Sequence, residues 1–211
     1  MANSHEEADV IIVNQVMSAA RQGYKSINIV CDDTDVFVLL VHFYETLNIT
    51  SELLMVPTSA KTRNVSNIGV TVRKHQEIVP HVLPLHALTG CDTVSSIYGV
   101  GKVKAVKTLQ KGHVPPPLGN DQIDIETIVS GATEFIAACY GSKCSGTMSQ
   151  IRFNIWQSKT GRSKATSFKL PSLPSTSEAF GLHVRRAHHQ ACIWRAALDS
   201  DPPVLDAADN G

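Results

Sequence analysis

The amino-acid sequence predicts an α/β domain with a mostly parallel sheet, and three observations support this class. Segments with apolar residues at helical spacing alternate with short apolar runs of strand character. Acidic residues directly follow one of these runs, at the end of a strand where α/β proteins collect their ligands. The composition, 43% hydrophobic and 18% charged in 211 residues, is that of a globular protein with one sizeable core.

The first half of the chain contains the predicted sheet. In order, we expect a helix over residues 10–20, a strand over 26–31, a helix over 36–43, strands over 52–56 and 69–73, and a helix over 76–88. Gly23 closes the first helix as a C-cap. Because residues 36–43 include several β-branched side chains, a strand is the alternative there. Pro80 and Pro84 are expected to kink or split the last helix.

The second half is predicted to be a mainly α-helical extension over residues 113–198. Residues 115–120 read as a turn, 123–140 as one or two helices, and 177–198 as an amphipathic helix with Ser177 at its N-cap. The segment 158–177 is rich in Ser, Thr, Lys and Pro and is predicted to be a flexible loop, and 199–211 a disordered tail.

The charge balance and the cysteines indicate which partners and which cellular compartment to expect. The 19 basic and 19 acidic residues cancel, which excludes a general electrostatic attraction to nucleic acid but allows local basic patches at 102–111 and 152–169. Five irregularly spaced cysteines predict reduced thiols. There is no signal peptide and no apolar run long enough to cross a bilayer, so we expect an intracellular protein without membrane contact.

Five acidic residues form two pairs and a single position: Glu7 with Asp9, Asp33 with Asp35, and Asp92. Hard divalent cations prefer carboxylate oxygens, and hydrolysis by two metal ions needs enough carboxylates to hold ions about 4 Å apart. Each position alone is weak evidence for a metal site, because Asp-x-Asp after a strand is more often structural or solvated than metal-binding. Their convergence at strand ends would suit Mg²⁺ or Mn²⁺.

A glycine turn and lysines follow Asp92. Gly99-Val100-Gly101 opens a predicted helix, so its backbone N–H groups can face a phosphate, and Lys102, Lys104 and Lys107 add positive charge. A metal ligand and a phosphate-binding turn within one segment indicate phosphodiester chemistry.

The order of these motifs resembles the internal region of flap endonucleases, structure-specific 5′-nucleases of the PIN-like superfamily. The resemblance covers about residues 5–110. The chain also resembles a group of animal PIN-like proteins, some of them associated with mobile elements. The segments that carry this second likeness are His5-Glu6-Glu7-Ala8-Asp9, Asp32-Asp33-Thr34-Asp35-Val36 and Ala87-Leu88-Thr89-Gly90-Cys91-Asp92-Thr93.

The resemblance implies a PIN-like, Rossmann-like core over residues 1–112, with a helix-hairpin-helix at about 88–110, and hydrolysis of DNA by a nuclear protein. The implied ligands of Mg²⁺ or Mn²⁺ are Glu7, Asp9, Asp33, Asp35 and Asp92, of which Asp33, Asp35 and Asp92 are the implied catalytic residues. The implied contacts to the DNA backbone are Gly99, Gly101, Lys102, Lys104 and Lys107.

One departure from the family affects the expected activity. Flap endonucleases begin with a strand that carries a further essential Asp, and only four residues precede His5. We therefore expect the chain to be the C-terminal part of such a nuclease, incomplete at its N-terminus and weak or inactive alone.

Three other interpretations stay open. The first is a non-catalytic PIN-like domain from a decayed gene, which binds nucleic acid or protein. The second is a haloacid-dehalogenase-like phosphatase with Asp33-Thr34-Asp35 as its nucleophile motif, although Phe37 departs from that pattern. The third is a zinc site formed by Cys139, Cys144, His188, His189 and Cys192, whose irregular spacing favours buried thiols and surface histidines instead. Trp156 and Trp194 are interpreted as packing anchors rather than base-stacking platforms.

Overall fold

The computed structural model of the protein describes residues 7–59, 64–142, 145–160 and 172–199. Its backbone divides into two compact units, the first made of residues up to 83 together with 193–199, and the second of residues 84–192. Within the described ranges the chain forms eight α-helices and a three-stranded sheet, which confirms the α/β class. The PIN-like topology and the helix-hairpin-helix stay predictions.

The first unit contains the sheet. Its elements are α1 (Ala8–Arg21), β1 (Ser26–Val30), α2 (Thr34–Thr46), β2 (Glu52–Val56), β3 (Ser66–Asn67), α3 (Ile68–Lys74) and a short 3₁₀-helix (Val79–His81). The strand order is β1-β2-β3, with β1 parallel to β2 and β2 antiparallel to β3. The sheet is therefore small and mixed rather than mostly parallel, because the only continuation beyond β2 in the described chain is a two-residue antiparallel strand.

The core of the first unit lies on one face of this sheet. Ile29 of β1 and Leu53 and Met55 of β2 are buried on that face. Helices α1 and α3 both pack against α2, and they also contact β1 and β2 respectively. The opposite face carries Asn28 and Val30, both exposed. The apolar stripes of the helices thus bury one side of a sheet whose strands alternate between buried and exposed residues.

The strand predicted over residues 69–73 is wrong, because this segment is helix α3. The side chain of Asn67 accepts a hydrogen bond from the N–H of Val70 at 3.0 Å and caps the helix. Ile68, Gly69 and Val72 are buried, at a spacing that suits a helix. A short segment with alternating β-branched residues fits either structure, and the cap and the packing decide for the helix.

The second unit is helical within the described ranges. Its elements are α4 (Val82–Thr89) from Pro84 onward, α5 (Lys102–Leu109), α6 (Ile125–Cys139), α7 (Met148–Thr160) and α8 (Ser177–Arg195) as far as Cys192. Phe135 and Ile136 of α6 and Phe180 and Val184 of α8 are buried in its core. The helices predicted over 123–140 and 177–198 are confirmed as α6 and α8.

The predictions for three other segments have mixed outcomes. The helix expected over 76–88 is split at its prolines, since Pro80 lies in the 3₁₀-helix and α4 begins two residues later. Helix α7 has no counterpart in the sequence predictions. Its last turn takes up residues 158–160 of the predicted flexible loop, whose residues 161–171 lie outside the described ranges, as do residues 200–211 of the predicted tail. Every helix in the described ranges is too short or too polar to cross a membrane.

Candidate metal centre

The junction between β1 and α2 positions two acidic side chains. The N–H of Cys31 donates to the carbonyl of Val56 at 3.0 Å and extends the pairing with β2 by one residue. Asp33 then has an extended backbone and forms the N-cap of α2, and its carboxylate accepts a hydrogen bond from the N–H of Asp35 at 2.7 Å. The Asp33 N–H donates to the sulfur of Cys31 at 3.3 Å. The strand end and the helix start thus fix this pair locally.

A third carboxylate reaches the pair from another helix. Asp9 lies in the first turn of α1, and α1 packs against α2. One carboxylate oxygen from each of Asp9, Asp33 and Asp35 lies within 4.8 Å of the other two. Asp35 is only 6% exposed, and the other two are half-buried. We call these three residues the acidic triad. Among the described residues, it is the group of three or more His, Cys, Asp or Glu side chains that lie close enough together to share one ion.

The electrostatics of the acidic triad favour a cation. Two like charges separated by 4.8 Å repel by about 3 kcal/mol at an effective dielectric constant of about 20. The N-terminus of α2 offsets part of this repulsion, because its backbone dipoles point their positive end at Asp33 and Asp35. A bound cation would relieve the rest. A donor set of three carboxylates fits Mg²⁺ or Mn²⁺, which prefer oxygen ligands, better than Zn²⁺.

A cleft opens beside the acidic triad, beyond the carboxyl ends of β1 and β2. Its volume is about 210 Å³, and its lining residues are Cys31, Asp32, Asp33, Thr34, Phe37, Met55, Pro57, Asn64 and Ser66. This volume is below the roughly 300 Å³ at which pockets for whole small molecules begin. The cleft therefore suits one group of a larger ligand.

Asp32 is a site residue that the sequence analysis did not single out. Its carboxylate accepts hydrogen bonds from the N–H of Thr58 at 3.1 Å and from the Thr58 hydroxyl. These bonds join the segment after β1 to the segment after β2, and Asp32 also lines the cleft. Three acids in four residues were visible in the sequence, but only the fold shows that Asp32 bonds to Thr58 and lines the cleft.

The other two predicted ligands, Glu7 and Asp92, are not members of the acidic triad. Glu7 is the N-cap residue of α1 and is half-buried, and it is not a member of the acidic triad. Asp92 belongs to the second unit, where it is exposed in the segment between α4 and α5. The participation of Glu7 and Asp92 in metal binding stays a prediction.

The predicted phosphate-binding turn is well defined in the second unit. The N–H of Val100 donates to the carbonyl of Ile97 at 3.0 Å, and Gly99 has a φ of 71°, which favours glycine. Gly101 is the N-cap of α5 and has no side chain to accept from the first N–H groups of that helix. A turn followed by a helix start is confirmed at this position, and its use for phosphate stays a prediction.

Of the three predicted lysines, Lys104 braces this turn and Lys102 bonds to the segment that follows α4. The ammonium group of Lys102 donates to the carbonyl of Gly90 at 2.6 Å, and that of Lys104 to the carbonyl of Gly99 at 2.9 Å. Lys104 also lies 5.1 Å from the ring centre of Tyr140, whose hydroxyl donates to the carbonyl of Tyr98. Burial, with a smaller effect of the neighbouring Cys139, raises the pKa of Tyr140 to about 12.

A groove of about 610 Å³ runs beside the same residues. It is lined by Thr89, Gly90, Ser96, Gly101, Lys102, Val103, Lys104 and Lys107. Lys107 is exposed at the end of α5, and in the described part of the chain its ammonium group has no protein partner. The groove therefore carries three lysines, of which Lys107 is the most available to a ligand.

The described part of the alternative zinc site gives it little support. The Nδ1 of His188 accepts a hydrogen bond from the N–H of Gly119 at 3.1 Å, and its Nε2 lies 3.6 Å from the sulfur of Cys192. Cys139 is buried, and burial raises the pKa of its thiol, which opposes the thiolate that zinc requires. Cys144 lies outside the described residues.

Comparisons of the chain with known protein families, with curated proteins and with solved structures find no match. The resemblance to flap endonucleases and to animal PIN-like proteins therefore stays a prediction from the quoted residues.

Proposed function

We propose that this protein is a metal-dependent nuclease that hydrolyses phosphodiesters of DNA. The observation that carries the proposal is the acidic triad: Asp9, Asp33 and Asp35 place carboxylate oxygens within 4.8 Å of one another at the carboxyl end of a parallel strand pair. Ligands of α/β proteins collect at this edge. The sequence motif and the fold thus support the same site.

The chemistry follows from what these side chains do. Asp9, Asp33 and Asp35 would hold Mg²⁺ or Mn²⁺, which supplies positive charge to a phosphodiester in the transition state. Asp33 keeps its position through its hydrogen bond with the Asp35 N–H, so the carboxylate needs little reorganisation. Asp32 holds the two strand ends together through Thr58 and lines the cleft, which has room for one phosphate group.

The test is cleavage of labelled branched and single-stranded DNA by the full chain with Mn²⁺, with Mg²⁺ and with EDTA. We expect cleavage with Mn²⁺ that falls at least about a hundredfold in Asp33→Asn and Asp35→Asn. Asp121→Asn, a matched change at an exposed acid of the second unit, should leave the rate unchanged. Cleavage that survives the Asp33→Asn/Asp35→Asn double substitution would contradict the proposal. Asp92→Asn in the same assay tests whether this exposed carboxylate contributes.

A second candidate is a nucleic-acid-binding domain that does not cut. The groove with Lys102, Lys104 and Lys107 favours it, because this groove can contact a phosphate backbone without the acidic triad. Binding of DNA in EDTA, together with Mn²⁺ binding but no cleavage under any metal condition, would support this candidate over the nuclease. Hydrolysis of a phosphate monoester instead of DNA would favour the phosphatase interpretation.

A further inference from the structure

Strand β1 lies at one end of the three-stranded sheet and pairs with β2 alone. The carbonyl of Lys25 and the N–H of Cys31, one residue beyond either end of the strand, both bond to β2, at 2.8 and 3.0 Å. The N–H and C=O of one residue point to the same side of a strand, and that side alternates along the chain. Ser26, Asn28 and Val30 therefore point their backbone groups away from the sheet.

The outward edge of β1 is uncovered. Among the described residues, the N–H and C=O groups of Ser26, Asn28 and Val30 have no hydrogen-bond partner on this side. All three residues are exposed, and Val30 is 69% exposed. A row of unpaired backbone donors and acceptors at the spacing of a β-strand is a template for one more strand. The chemistry of the edge thus specifies an extended backbone as its partner.

The edge of β1 also has none of the devices that keep edge strands apart. Proteins protect such edges by shortness, by charged side chains, by proline or by a bulge. The strand at the other end of the sheet, β3, is protected by its length of two residues. In contrast, β1 has five residues without a charge or a proline, and its register with β2 is unbroken. This edge is therefore suited to pairing.

We propose that two copies of this chain form a dimer by antiparallel pairing of their β1 edges, with Asn28 on the two-fold axis. In this register Asn28 faces Asn28 of the second copy, and Ser26 faces Val30. Each facing pair exchanges both of its backbone hydrogen bonds, so about six bonds join the two strands. A two-fold contact of this kind closes, because each copy contributes the same edge.

The sequence of β1 is compatible with its own copy in this register. On the core side of the sheet, Ile27 faces Ile29 of the second copy. Lys25, the charged residue that precedes the strand, faces Cys31, so two like charges do not meet. The formal net charge of the chain is zero, so two copies do not repel each other through their total charge. Neighbouring antiparallel registers use only two outward residues of each strand and form fewer bonds.

The size of the contact sets its expected strength. Contacts that bury less than about 1,200 Å² belong to weak and transient associations, and two short strands with a few side chains on each face are of this class. We therefore expect a dissociation constant of about 10–100 μM. Sedimentation equilibrium of the full chain from about 5 to 500 μM covers this range. EDTA and a reducing agent are present throughout, so that metal ions and disulfides do not contribute.

Substitution of Asn28 tests both the edge and the two-fold axis. Asn28→Lys and Asn28→Asp each place two like charges opposite each other, and each should weaken the dimer at least about tenfold. An equimolar mixture of the two variants should dimerise again, because opposite charges then face each other across the axis. Gln157→Lys adds the same charge at an exposed residue of α7 and should leave the dimer as it is. Circular dichroism and the melting temperature confirm that each variant is folded.

Amide hydrogen exchange gives a second measurement that needs no variant. The N–H groups of Asn28 and Val30 should exchange more slowly as the protein concentration rises, because the second copy accepts their hydrogen bonds. The N–H of Ile29 points at β2 and should be protected at every concentration. This alternation along one strand separates edge pairing from a contact made by side chains alone.

Three results would overturn the proposal. The first is a parent chain that stays a monomer up to about 500 μM. The second is a dimer that Asn28→Lys leaves intact, since the contact would then lie elsewhere. The third is a mixture of the folded Asn28→Lys and Asn28→Asp variants that stays monomeric, since Asn28 would then not face its own copy. All measurements are made in EDTA, so the result does not depend on the nuclease proposal.

Discussion

The carboxylate of Asp33 accepts a hydrogen bond from the backbone N–H of Asp35 at 2.7 Å, so the residue that caps α2 is tied to the most buried acid of the triad. The same contact starts a helix and brings two carboxylates together. Asp9 then adds a third negative charge from α1. Folding of the first unit and binding of a cation are therefore expected to be linked.

Metal ions should stabilise the protein through Asp35. With free Mn²⁺ at about 100 times its dissociation constant, binding to the folded state adds about 2.7 kcal/mol to the free energy of unfolding. Asp35→Asn should lose this stabilisation and, in EDTA, should be at least as stable as the parent because one repulsive charge is gone. Thermal unfolding with Mn²⁺ and with EDTA measures both effects. Asp121→Asn is the control, and an equal Mn²⁺ shift in Asp35→Asn would contradict the linkage.

The cap of α3 should contribute measurably to stability. Asn67→Ala removes the acceptor for the Val70 N–H and should lower the free energy of unfolding by about 1 kcal/mol. Asn67→Ser keeps an uncharged oxygen that can cap the helix beside the Glu52 carboxylate and should restore part of it. Urea unfolding of the three proteins gives the comparison. Equal stability of Asn67→Ala and the parent would show that packing alone holds α3 in its helical form.

Gly69 should not tolerate a side chain, although it lies in a helix. A Cβ atom there would lie 2.5 Å from the hydroxyl oxygen of Tyr44 and 2.8 Å from its ring, so Gly69→Ala should destabilise the first unit by about 1–3 kcal/mol. Gly181 in α8 is the matched control, since nothing lies within 4 Å of its Cβ position. Gly181→Ala should stabilise the protein by up to about 1 kcal/mol. If both changes stabilise the protein in urea unfolding, the Tyr44 side chain moves aside at little cost in free energy.

His42 should make the stability depend on pH. Burial, with a smaller effect of the nearby Arg195, lowers its pKa from 6.5 to about 4 in the folded chain. The unfolded chain therefore binds more protons between these values, and the free energy of unfolding should fall by up to about 3 kcal/mol as the pH drops from about 6.5 to about 4. Above the unfolded pKa the contribution is complete.

The measurement is the urea midpoint at a series of pH values in that window. His42→Gln should flatten the dependence by about one proton, whereas His113→Gln, at an exposed histidine of the second unit, should leave the slope as it is. A parent slope that His42→Gln does not change would assign the acid sensitivity to other groups.

Local patterns predicted most of the first unit but not all of it. Helical spacing of apolar residues gave α1, and the apolar run between Ser26 and Cys31 gave β1, because these signals come from the burial of each segment's own side chains. Residues 69–73 have alternating β-branched residues that fit a strand, and the helix forms because Asn67 caps it and Gly69 packs on Tyr44. The contact between Gly69 and Tyr44 joins two segments of the chain, so no local sequence pattern predicts it.

The sequence by itself determined the α/β class, the helix start after the glycine turn, and the placement of Asp33 and Asp35 at the end of a strand, since each depends on neighbours along the chain. The family resemblance already grouped Asp9 with this pair, and the tertiary structure brings one carboxylate oxygen of each within 4.8 Å of the other two. Only the tertiary structure decided that Asp32 holds the two strand ends together through Thr58, and that Trp156 stays exposed while Trp194 is buried. The physical reason is that these outcomes depend on which helix packs against which, and residues far apart in the chain meet only after that packing is complete.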